Sequence, residues 1–269
     1  MTTNEQSIAE PLLGAGTEQN HVERRSLWAL LWGILVRPRR TWAYLSQHDR
    51  QGWWILLLLL LALTLPPSAL SWSFEKSAQT SITPSMMEYE KYGYVEPPPR
   101  SSGINVAGLA LHIVGQAAGT AFSWVLWATA LYLISVFWGR SSSFGRMFRL
   151  TLWAWIPYAL RSSVQLVYLL ISKRPIWNRG LSGFVIDRST AAAALIPPGP
   201  GQVALASVLG HIDLFWAWSL FLLITGLIVF TRLKTKRAVL AVLLIWALLV
   251  LLGLIPAIIG SSLSQVGVG

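Results

Sequence analysis

Residues 104–138 run for 35 positions without an Asp, Glu, Lys or Arg. About 20 apolar residues already cross the hydrocarbon core of a bilayer as a helix, so this run alone predicts a membrane span. Four more apolar runs, at residues 53–72, 150–171, 211–230 and 238–259, repeat the pattern. Together they predict an all-α, polytopic membrane protein with five transmembrane helices. The chain is 54% hydrophobic and 12% charged, against about 25% charged in an ordinary soluble domain. The net charge of +10 therefore belongs to segments between spans, and a nucleic-acid-binding role is excluded. Zero cysteines remove disulfides, thiolate metal sites and a cysteine nucleophile.

The segments around the spans differ in kind. Residues 1–25 hold Glu5, Glu10, Glu18 and Glu23 with little to bury, which predicts a disordered acidic tail. Residues 26–50 place Trp28, Leu31, Trp32 and Leu35 at helical spacing ahead of Arg37, Arg39 and Arg40. Ten apolar residues make about 15 Å of helix, half a bilayer core, so the segment is expected to lie in the interface as an amphipathic helix on the lipid bilayer. The other reading is a short helix packed on the bundle's own underside. Residues 53–260 form the five-span domain, with an external loop at 74–103 and a proline-glycine breaker at 197–201. Residues 261–269 read as a short external tail.

Charge sets the orientation. With the N-terminus inside, thirteen Lys and Arg fall on the cytoplasmic side and seven outside, with Arg161 left within the bilayer. This predicts a cell-membrane protein with a cytoplasmic N-terminus and an external C-terminus. Arginine outnumbers lysine 16 to 5, which tilts the source towards bacteria.

Polar groups inside spans are the candidate site. Tyr158, Arg161, Gln165 and Tyr168 share a face of the third span. An unpaired arginine at mid-membrane costs about 2.5–3.5 kcal/mol, so Arg161 needs a partner. Asp213 is the one acid in a span. Arg161, Gln165 and Asp213 are expected to form a cluster locking spans three and four, or else an ion or substrate site. In span two, His112 and Gln116 share a face beside Gly115 and Gly119, a small-xxx-small pattern that lets helices approach closely, within the chain or between copies. His112 reads as a structural histidine before a proton relay.

No glutamate follows Glu96, so no span offers a carboxylate pair, a zinc-helix motif or a glutamate base. Glycine-rich phosphate loops are also missing. The chain is expected to be no enzyme and to need no cofactor or metal. A small-solute permease or permease subunit, with a path through Gln116, Arg161, Gln165 and Asp213, stays open as the alternative.

Three stretches carry a resemblance: Arg37-Pro38-Arg39-Arg40-Thr41-Trp42, Phe148-Arg149-Leu150 leading to Trp155-Ile156-Pro157-Tyr158, and Asp213 through Leu220 to Gly226. Their order resembles the Yip domain family of Ypt/Rab-interacting membrane proteins, in its prokaryotic branch. The resemblance implies a fold more than a function: five spans, a cytosolic N-terminus and a C-terminus on the far side. The favoured expectation is a non-enzymatic protein of this type that organises membrane-protein partners, copies of itself, or lipid. The acidic motif of the eukaryotic members has no counterpart before Trp53, and Leu152-Trp153 stands where they carry Gly-Tyr, which argues against a Rab-type GTPase partner.

Overall fold

The computed structural model describes residues 26–48, 53–81, 106–140, 142–174, 176, 180–185 and 199–266. The acidic tail, most of the loop expected at 74–103 and the breaker up to Pro198 lie outside them. The described residues are helical throughout their regular structure: α1 Leu27–Val36, α2 Pro38–Gln47, α3 Trp53–Ser81, α4 Val106–Phe137, α5 Phe144–Ala154, α6 Ile156–Ser172, a single 3-10 turn Ser182–Phe184, α7 Pro200–His211, α8 Leu214–Thr231 and α9 Thr235–Val266.

Four of these are long and apolar enough to cross a membrane: 53–74, 106–137, 214–231 and 235–255. The run at 150–171, expected as one span, is two helices parted at Trp155. Pro157 brings no N–H to the ladder, and the Trp155 N–H is shared between the carbonyls of Thr151 and Leu152, both at 3.1 Å. The ladder resumes at once, with Ala159 N–H donating to Trp155 O at 3.2 Å.

Other boundaries also move. α3 runs through Pro66-Pro67 to Ser81 and takes the first eight residues of the expected loop. α9 runs to Val266, so most of the expected tail is helix. The interfacial segment is two helices, because Arg37 leaves helical geometry at φ −132°, ψ 60° and Pro38 starts α2. The span expected at 211–230 starts instead at Leu214, with α7 ending at His211 and Ile212 extended between them.

Burial does not follow apolarity. α5 is the innermost element, with Met147, Leu150, Leu152 and Ala154 wholly buried, although it carries Arg146 and Arg149. The strongly apolar α9 is 22% buried along its spanning window, against 44% for α8. In a bilayer the outward faces meet lipid tails as apolar as leucine, so the most apolar helix has no need of the centre.

Candidate functional site

The two charges singled out within the bilayer meet. Arg161, in the second turn of α6, places a guanidinium nitrogen 2.7 Å from Asp213 Oδ2, each side chain 17% exposed. Asp213 is not inside a span. It is the extended N-cap of α8, and its Oδ1 accepts the Trp216 N–H at 2.8 Å. The chain break at 212–213 thus gives one carboxylate two tasks, capping a helix start and pairing with an arginine. Gln165 makes no hydrogen bond to either charge among the described residues, so the expected three-residue cluster reduces to a pair.

Beside this pair, backbone packs closely on backbone. Gly180 has φ +55°, and a Cβ there would fall 2.8 Å from the carbonyl oxygens of Leu209, Gly210 and Ile212. Only glycine allows the chain to pass so close to the end of α7, and Leu181 N–H donates to Leu209 O at 3.0 Å.

His112 is held between α3 and α4. Its Nε2 lies 3.0 Å from Ser68 Oγ, and its ring stacks on Trp72 at 5.6 Å between centroids. Gly115 and Gly119 pack on none of the described residues: a Cβ at either would meet none of their atoms within 4 Å. Instead they line an open groove of about 570 Å³ with His112, Gln116, Ser123 and Trp155. Every buried side chain of α4 lies at Trp124 or beyond, so the first half of the helix turns no buried residue towards the rest of the chain.

At the other end of the bundle, sequence reasoning missed a junction. The indole of Trp42 is fully buried and lies edge-on to Phe230, 5.8 Å between centroids. A Cβ on Gly226 would meet that indole at 3.0 and 3.1 Å and Leu150 Cδ1 at 3.2 Å. Trp42, Leu150 and Gly226 come from the three separate stretches that carried the resemblance, and they touch. One signal for this was legible: a lone glycine in the apolar α8 marks a close approach. Within the helical pair, Gly33 similarly admits the Thr41 hydroxyl, 2.7 Å from where its Cβ would be.

α1 turns Leu30 and Ile34 inward, 1% and 0% exposed, and leaves Trp28 and Trp32 outward at 76% and 70%. One face of α1 thus packs on the bundle, and the two tryptophans face away from it. Arg37, Arg39 and Arg40 are exposed.

Among the described residues no group of three His, Asp or Glu could hold a metal ion. Comparison with family models matches residues 32–255 to the Yip1 domain. Neither the curated proteins nor the solved structures give a match.

Proposed function

Because the chain belongs to the Yip1-domain family, we propose that it is a non-enzymatic protein of the family's bacterial branch that organises membrane partners or lipid through its helix faces. The chain crosses the cell membrane five times, the third time through α5 and α6 taken together, with the N-terminus cytoplasmic and the C-terminus external. Phe144 to Ser172 is 29 residues, about 43 Å of helix if straight, ample for a 30 Å core.

The observation that carries this reading is the closed Arg161–Asp213 pair. The two charges answer each other, which leaves neither free to coordinate a solute. What remains open is lateral, namely the groove at Gly115, Gln116 and Gly119 and the outward Trp28 and Trp32 above Arg37, Arg39 and Arg40, suited to the headgroup layer.

The test is mild cross-linking in native membranes followed by purification, with wild type beside Arg161→Leu/Asp213→Leu. A reproducible partner set for wild type supports the scaffold reading. No specific partner, with a stable double variant, refutes it and favours the permease. One feature favours that second reading: the helix breaks at Trp155 and at 212–213 flank the ion pair, and interrupted helices line many carrier sites. Solute uptake into proteoliposomes tests it directly.

A further inference from the structure

Two basic clusters far apart in sequence are brought to one end of the bundle. The first is Arg37, Arg39 and Arg40, at the start of α2, all exposed. The second is the turn joining α8 to α9, where Arg232, Lys234, Lys236 and Arg237 are exposed while Leu233 is 4% exposed and anchors the turn. The Trp42 contact ties them. Its ring touches α8 at Gly226 and Phe230, so Arg39 and Arg40 lie within one turn of that contact on α2, and Arg232 follows Phe230 by two residues.

Among the described side chains the one carboxylate is Asp213, at the far end of α8, about 27 Å of helix away. None of the seven cations forms an ion pair among the described residues. α2 also begins at Pro38 with no side chain capping its first N–H groups and no acid in its first turn, so its positive end adds to the same field.

We propose that α2 and the α8–α9 turn together form one binding site for the phosphate headgroup of an anionic phospholipid. A cluster of arginines and lysines beside membrane-spanning helices has the chemistry of such sites. The lipid, and not a soluble phosphate, is the occupant because the exposed Trp28 and Trp32 of α1 and the exposed Trp53 and Trp54 of α3 set the neighbouring surface at headgroup depth. The site depends only on the two clusters sharing an end of the bundle, so it stands whichever partner or solute the rest of the protein serves.

The test uses native mass spectrometry of the full-length protein released from phosphatidylcholine vesicles with and without phosphatidylglycerol. Wild type retains one phosphatidylglycerol per chain. Arg39→Gln/Arg40→Gln and Lys234→Gln/Lys236→Gln each remove it, with affinity falling about 30-fold, the loss of two cation contacts. Arg39→Lys/Arg40→Lys retains it, which separates lost charge from lost folding. Two retained lipids, each removed by one variant alone, overturn the joint site. Equal retention of phosphatidylcholine overturns the charge argument, and displacement of the lipid by millimolar inorganic phosphate overturns the choice of a lipid.

Discussion

Replacing Asp213 by leucine tests the logic of the ion pair, because it removes two interactions at once. The α8 cap is lost, at about 1 kcal/mol, and Arg161 is left without its 2.7 Å partner, which adds about 3 kcal/mol within a membrane. The total is about 4 kcal/mol. At roughly 2–4 °C per kcal/mol, the melting temperature of the purified protein falls by about 8–16 °C. Adding Arg161→Leu to the same chain removes the stranded cation. An apolar pair replacing an ion pair is often neutral, so the double variant keeps only the cap loss, a fall of about 2–4 °C. The prediction is therefore a rescue: two substitutions less damaging than one. Asp213→Asn, which keeps a capping oxygen, falls between them. The assay is thermal unfolding in detergent followed by tryptophan fluorescence and by retention of monodisperse protein on gel filtration. If the double variant melts as low as Asp213→Leu, the stranded-charge reasoning is wrong.

Gly226→Leu drives a branched side chain into the Trp42 indole and Leu150, already 3.0–3.2 Å from a bare Cβ, and costs about 1–3 kcal/mol as overpacking; Gly115→Leu, with nothing within 4 Å, leaves thermal stability unchanged in the same assay. Ser68→Ala removes the partner of His112 Nε2 and destabilises by about 1 kcal/mol, visible as a lowered denaturant midpoint, whereas a larger loss points to a part for His112 beyond structure. Trp28→Phe/Trp32→Phe alters stability by no more than about 0.5 kcal/mol, since both rings face outward, while quenching of tryptophan fluorescence by headgroup-level quenchers drops; unchanged quenching removes α1 from the membrane surface.

Apolar run length and periodicity made the class of fold legible before any coordinates. A 35-residue uncharged stretch has no other stable solution than a buried or lipid-facing helix, since its backbone groups must be satisfied within the segment. The need of Arg161 for a carboxylate was legible too, because charge in a bilayer demands a partner and Asp213 was the one acid available.

How the two residues meet was not legible. Along unbroken helices the two would lie about 11 Å apart in depth, whereas in the structure α7 ends at His211, α8 starts at Leu214 and the charges meet at 2.7 Å. Hydropathy sees only apolar content and is blind to a two-residue break. Nor could it find the Trp42, Leu150 and Gly226 junction, which joins residues over 180 positions apart through shape alone. Sequence by itself determined that this chain lives in a membrane, because transfer free energy is a local sum over residues. Which faces pair, which charges meet and which groove stays open were decided only by tertiary structure, because packing depends on where backbones can approach, and inside a bilayer hydrophobicity does not distinguish one apolar face from another.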